Sequence, residues 1–102
     1  MVIQNHMYRP LPPNVTIGPS EIEGLGLICK AYYIRPGTVI GKIHYYIDGE
    51  LIRTPLGAFG NHSDEPNCDK YWDEGGWFIR SNKDIWQGDE ITWKYTLYKN
   101  FT

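Results

Sequence analysis

The chain is poor in the features that mark several classes of protein. Its 102 residues include two cysteines, Cys29 and Cys68, too few for a disulfide framework or for a zinc site built from cysteines alone. It shows neither an export signal nor an apolar run long enough to cross a bilayer. We therefore expect a soluble intracellular protein, cytoplasmic or nuclear, with no membrane partner and no metal site.

Positive charge is also scarce, because ten Lys and Arg stand against twelve Asp and Glu, for a formal net charge of -2. Nucleic-acid binding relies chiefly on basic residues that neutralise phosphates, so the balance disfavours direct nucleic-acid binding, even by an aromatic-rich single-strand binder. A basic partner fits better. Five acidic residues and one lysine lie between Asp64 and Glu74, which predicts either attraction for a cationic peptide or a solvated acidic loop.

Helical periodicity is the third missing feature, since no window of a dozen residues shows it free of Gly and Pro. Short β-branched and aromatic runs instead predict strands over residues 15–17, 27–33, 39–47, 50–52, 77–80 and 91–95. Asp48-Gly49 predicts a hairpin turn. Single helical turns are expected near Leu56 to Phe59 and near Asp84 to Gln87.

The length allows one domain, and many short strands make it mainly β. We place this domain at residues 15–102, behind an extended arm of residues 1–14 that contains three prolines.

Three motifs follow one another along the chain. The first is Ser20-Glu21-Ile22-Glu23-Gly24-Leu25-Gly26-Leu27, the second is Asn61-His62-Ser63 with Pro66-Asn67, and the third is Gly88-Asp89-Glu90-Ile91-Thr92-Trp93-Lys94-Tyr95. In this order they resemble the signature elements of the SET domain family. The resemblance covers roughly residues 15–98. It implies several small curved sheets, with the Asn-His segment threaded beneath a C-terminal loop in a knot-like arrangement.

The resemblance implies an S-adenosylmethionine site formed by Gly24, Leu25, Gly26, Asn61 and His62. Glycines let a ligand approach the backbone without a Cβ in the way, and Asn and His side chains both donate and accept hydrogen bonds. Taken in isolation, the same residues are more often turn formers. The presence of all three motifs favours the ligand-binding interpretation.

By the same resemblance, Tyr95 is the expected catalytic residue, and Trp93 and Tyr98 are the expected lining of a lysine channel, with Phe101 as an alternative cover. Methyl transfer from a sulfonium to an amine is an in-line displacement that requires a neutral, aligned nucleophile. A tyrosine hydroxyl can orient that amine. Trp93 stands where relatives often carry Phe or Tyr, so it is either a channel wall or, as we prefer, a core residue.

The chain departs from the family pattern in two places. About a dozen residues, 48–60, replace a helical insert that forms one wall of the peptide groove in relatives, and no cysteine cluster follows Tyr95 to form a zinc-bound post-SET cap. The shortened insert predicts a homodimer in which a second copy completes the site.

Two functions therefore remain open. One is a minimal S-adenosylmethionine-dependent protein lysine methyltransferase acting on a basic protein such as a histone-like tail. The other is a non-catalytic SET-fold module that binds a peptide or the cofactor without turnover. Retention of Asn61, His62 and Tyr95 favours the enzyme, whereas loss of the insert favours the module.

Overall fold

The computed structural model describes residues 11–95, which form ten strands and one short helix arranged in three sheets. The mainly β class expected from the sequence is confirmed. No helix in this part of the chain is long and apolar enough to span a membrane. In chain order the elements are β1 Val15–Pro19, β2 Leu25–Cys29, β3 Tyr33–Ile34, β4 Val39–Ile47, β5 Glu50–Arg53, α1 Pro55–Phe59, β6 Asn61–His62, β7 Cys68–Asp73, β8 Gly76–Ser81, β9 Ile85–Trp86 and β10 Glu90–Trp93.

One four-stranded sheet is antiparallel throughout, with the strand order β5-β4-β8-β7. Its β4–β5 hairpin turns at Asp48 and Gly49, whose φ angles of 51° and 82° are both positive. Positive φ angles at both turn residues give a turn whose twist matches the right-handed twist of the two flanking strands. The hairpin expected from the sequence is confirmed, because its turn chemistry is local.

The short helix α1 follows this hairpin. The Thr54 hydroxyl accepts a hydrogen bond from the Gly57 N–H at 3.1 Å, and Pro55 occupies the first turn, where a missing N–H does no harm. The helical turn expected near Leu56 to Phe59 is therefore confirmed, and the segment 48–60 contains a strand and one helical turn.

The second sheet has the order β1-β2-β10-β6, and β3 pairs with β9 in a two-stranded sheet. The helical turn expected near Asp84 to Gln87 is wrong, because Ile85 and Trp86 pair with Ile34 and Tyr33 instead. The single strand expected over 27–33 is likewise two strands, β2 and β3, in different sheets. Long-range pairing overrides local pattern at both places.

The acidic stretch is not a loop over its whole length, since Cys68–Asp73 forms edge strand β7. Cys68 and Lys70 are buried, while Asp69 between them is exposed. The Lys70 Nζ lies 5.4 Å from the centroid of the Trp77 ring, a cation–π arrangement. A lysine at a buried position concealed the alternation that would have revealed the strand.

The core lies between the sheets and the helix. Its largest fully buried side chains are Trp93, Leu27, Ile43, Leu56, Ile79, Ile85 and Ile91. Leu11 packs against this core, and the Val15 N–H donates to the Pro12 carbonyl at 3.1 Å. Residues 11–14 thus form a turn against the domain, whereas residues 1–10 of the expected arm lie outside the described part of the chain.

Both cysteines are buried, with 1% of Cys29 and none of Cys68 exposed. Burial raises the pKa of the Cys68 thiol to about 12 and also raises that of Cys29. The thiolate is the reactive form, so we expect neither cysteine to react with a chromogenic disulfide reagent at pH 8 until denaturant is added. Rapid release of chromophore from the folded protein would contradict this expectation.

Candidate active site

The parallel pairing of β6 with β10 brings two of the three motifs side by side. Thr92 lies opposite Asn61, and Trp93 lies opposite His62. The Ser63 N–H extends the pairing by donating to the Trp93 carbonyl at 3.2 Å. On its other side β10 pairs with β2, which carries the end of the first motif, so β10 is shared by the whole site.

The side-chain amide of Asn61 is held by its own chain. Its Nδ2 lies 2.8 Å from Glu90 Oε2, 3.0 Å from Ser20 Oγ, 3.2 Å from the Glu23 carbonyl and 3.3 Å from the Leu25 carbonyl. An amide nitrogen carries two hydrogens, so these acceptors take up its donor capacity. Within residues 11–95 the Oδ1 atom has no donor. Asn61 therefore anchors the loop of residues 20–24, which joins β1 to β2, through its side-chain nitrogen. Its side-chain oxygen stays available to a ligand.

Ser20 and Glu90 close this network. The Ser20 hydroxyl donates to the Glu90 carboxylate, with 2.8 Å to each oxygen, and accepts from the Ile22 and Glu23 N–H groups at 2.8 and 3.1 Å. The loop is thus tied to β10 through one hydroxyl. Both residues lie within the motifs, yet no role was expected for them, because only the fold shows that a serine and a glutamate 70 positions apart meet.

The three loop residues expected to bind the cofactor have different surroundings. Gly24 has a φ of +52°, and a Cβ built there would have no atom within 4 Å. Leu25 is 56% exposed. A Cβ on Gly26 would instead lie 2.3 Å from Glu90 Oε2 and 3.0 Å from Asn61 Nδ2, so this glycine permits the polar network. Gly24 and Leu25 border open space, and ligand binding by all three stays a prediction.

His62 positions the backbone of Tyr95. Its Nδ1 accepts the Tyr95 N–H at 2.9 Å, and its Nε2 lies 2.9 Å from Asp64 Oδ1. An accepting Nδ1 assigns the ring proton of the neutral imidazole to Nε2, which donates it to the carboxylate. The imidazole also contacts the Tyr95 ring edge to face, with 5.4 Å between centroids.

Tyr95 donates its hydroxyl proton to the Gly60 carbonyl. Burial raises the pKa of Tyr95 above its ordinary value; the nearby Glu23 carboxylate also raises it, and the Arg53 guanidinium opposes the shift. The phenol is therefore neutral at physiological pH. Its lone pairs can still accept a hydrogen bond, since the bond to Gly60 uses only the proton.

Trp93 is 1% exposed and belongs to the core, in agreement with the core interpretation. Its ring lies so close to Gly60 that a Cβ there would be 1.9 Å from the indole, so residue 60 must be glycine for this packing. Its buried Nε1 has no hydrogen-bond partner within residues 11–95. A channel role for Trp93 stays a prediction, and Tyr98 and Phe101 lie outside the described residues.

Asn67 acts as a clip on β10. Its Nδ2 donates to the Glu90 carbonyl at 2.8 Å, and its Oδ1 accepts the Thr92 N–H at 3.0 Å. The side chain thus imitates a strand backbone beyond the two residues of β6. Its place in the Asn-His motif is explained by this structural contact.

A family model for the SET domain matches residues 6–96. The chain belongs to the SET domain family. The solved structures that share the fold of this SET domain include the two described next. A Plasmodium falciparum protein described as a candidate histone methyltransferase is 21% identical, with a TM-score of 0.69 over 80% of this chain and 92% of that chain. The methyltransferase domain of human PR domain-containing protein 2 is 17% identical, with a TM-score of 0.69 over 87% of this chain and 81% of that chain.

At such identities the likeness establishes the fold alone, and the SET fold expected from the sequence is confirmed. No curated protein matches the chain. The knot-like threading implied by the resemblance stays a prediction. Within residues 11–95, no group of three or more His, Cys, Asp or Glu side chains is arranged to hold a metal ion.

The clip formed by Asn67 can be tested through stability. Asn67→Ala should lower the free energy of unfolding by about 2–4 kcal/mol, because it leaves the buried Thr92 N–H and the Glu90 carbonyl without partners. Urea unfolding followed by tryptophan fluorescence measures the change. Asn82→Ala is the matched control, since it removes an exposed amide that bonds the Asp69 carboxylate at 3.0 Å and should cost less than about 1 kcal/mol. Equal losses for the two variants would show that the clip is unimportant.

Proposed function

We propose that this SET domain transfers a methyl group from S-adenosylmethionine to a lysine side chain of a basic protein. The observation that carries the proposal is the convergence of Asn61, His62 and Tyr95 through the pairing of β6 with β10. Membership of the SET family and a fold shared with methyltransferases support it. Neither names a substrate.

The residues around the loop fit the cofactor's chemistry. S-adenosylmethionine supplies an electrophilic methyl group on a sulfonium and also carries an ammonium group. Asn61 Oδ1 is available to accept from that ammonium, and the open space beside Gly24 lets a ligand approach the backbone. The Glu23 carboxylate, close enough to influence Tyr95, favours a positive charge nearby.

Tyr95 would orient the lysine amine. Its hydroxyl proton goes to the Gly60 carbonyl, so its oxygen accepts an N–H of the amine and helps to direct the nitrogen lone pair. The raised pKa of Tyr95 argues against a phenolate that removes the amine's proton. A free lysine has a pKa of about 10.4, so it must lose its proton to water before transfer, and a desolvated channel favours the neutral form.

Acidic residues at the site favour a cationic substrate. Asp64 bonds His62 while its side chain remains 88% exposed, and the neighbouring Glu65 is also exposed. Carboxylates in this position raise the local concentration of a basic peptide. A histone-like tail has the required charge, and so do other Lys-rich segments.

Cofactor binding is tested by calorimetric titration with S-adenosylmethionine. Asn61→Ala should weaken binding by about 1–3 kcal/mol, because it removes the free acceptor and releases the loop. Asn82→Ala, an amide outside this network, should bind like the wild type. Circular dichroism must show that both variants are folded. Failure of the wild type to bind would refute the proposal, and unchanged affinity in the Asn61 variant would refute only that residue's role.

Tyr95→Phe tests the chemistry separately from binding. The change removes one hydroxyl, so cofactor affinity should persist while transfer of a labelled methyl group to a mixture of basic proteins falls about 10²-fold or more. Tyr33→Phe is the matched control. Tyr33 is similarly exposed, lies in a different sheet and donates its hydroxyl proton to the Asp84 carboxylate. It should transfer at the wild-type rate.

Two other outcomes are informative. Binding without transfer by the wild type would favour the non-catalytic module. Equal transfer by wild type and Tyr95→Phe would overturn the assignment of Tyr95 and leave the enzyme standing.

A further inference from the structure

Strand β5 is the outer strand of its sheet, and all four of its residues are exposed. Leu51 and Ile52, at its centre, are each 46% exposed. Their neighbours on β4, Tyr45, Tyr46 and Ile47, are 44–49% exposed. Within residues 11–95 no other strand pairs with this edge, which offers backbone groups together with apolar side chains.

The backbone groups of β5 that face away from the sheet can be identified. The Tyr46 N–H donates to the Gly75 carbonyl at 2.8 Å, so it points towards β8 rather than β5. Leu51, which lies opposite Tyr46, must then direct its own N–H and C=O to the free edge. The Thr54 N–H points inwards, to the Ile43 carbonyl at 3.0 Å. Because the direction alternates along a strand, the backbone N–H and C=O groups of Leu51 and Arg53 point outwards, and those of Glu50 and Ile52 point inwards.

We propose that β5 pairs antiparallel with β5 of a second copy of this chain, about a two-fold axis that passes at Ile52. The proposal does not depend on methyl transfer. In antiparallel strands, only residues of like orientation stand opposite each other. The register that uses both outward residues places Leu51 opposite Arg53 of the second copy, and Ile52 opposite its own equivalent. It forms four backbone hydrogen bonds and joins the two sheets into one of eight strands.

The apolar side chains match this axis. Ile52 lies beside Tyr45 on one face, so pairing produces a row of Tyr45 and Ile52 followed by the same two residues of the second copy. On the other face Leu51 lies beside Tyr46. Pairing covers the strand edge and the flanks of these side chains and removes at most roughly 1,000 Å² in total, the size of a weak interface. We expect association in the micromolar range.

Charge does not oppose a second copy at this edge. Glu50 and Arg53 lie at opposite ends of β5 and on opposite faces of the sheet, so the register about Ile52 places neither residue opposite its own equivalent. The opposite edge, β7, exposes Asp69 and Asp73 and would bring like charges together. The Arg53 guanidinium is also close enough to Tyr95 to oppose the rise that burial causes in the pKa of its hydroxyl, so the interface would border the candidate site.

Disulfide cross-linking of single-cysteine variants tests the register. Ile52→Cys would place two thiols opposite each other in a non-hydrogen-bonded pair, with Cα atoms about 4.5 Å apart, and mild oxidation should give a covalent dimer. Leu51→Cys is the control, because its exposure is equal but its equivalents would be about 8 Å apart. We expect Ile52→Cys to cross-link at least about tenfold faster. Equal rates, or a faster Leu51→Cys, would overturn the proposal. The native cysteines are buried and should not interfere.

Light scattering at micromolar concentrations gives an independent measurement. The wild type should approach twice 11.8 kDa, and Ile52→Lys should remain near 11.8 kDa because like charges meet at the axis. Val39→Lys, at 47% exposure on β4 and away from the edge, should associate like the wild type. A monomeric wild type, or equal association by both lysine variants, would refute pairing through β5.

Discussion

The site depends on the parallel pairing of β6 with β10. A two-residue strand contributes little by itself, and side chains hold it in place: Asn67 extends it along β10, and His62 and the Gly60 carbonyl bind the backbone and hydroxyl of Tyr95. The packing of the Trp93 ring against Gly60 fixes how closely the two segments approach. These contacts position His62 and Tyr95 relative to each other.

Local chemistry made parts of the fold predictable. The β4–β5 hairpin follows from Asp48-Gly49, which supplies the positive φ angles of the turn, and α1 follows from Thr54-Pro55. Strand β9 could not be predicted in this way, because its pairing with β3 involves a distant segment. Strand β7 was concealed by Lys70, a charged residue at a buried position that lies against Trp77.

For the site, the motifs identified which segments matter but not how their side chains are used. The resemblance implies that Asn61 binds a ligand, yet its side-chain nitrogen is held by Ser20 and Glu90, and within residues 11–95 only its side-chain oxygen has no partner. The motif does not distinguish Gly26 from Gly24, but Gly26 makes room for the Glu90 side chain. These distinctions depend on which groups meet across long separations, and no single-sequence pattern carries that information.

The polar network that holds the loop also constrains how the chain folds. Ser20 and Glu90 are separated by 70 positions, His62 and Tyr95 by 33, and Asn61 and Glu90 by 29. Closing such long loops costs conformational entropy before the favourable contacts form and compensate for it, and this slows folding. The hairpin is local and can form early, whereas the loop, β6 and β10 must meet together. A partly folded chain would therefore contain strands but no assembled site.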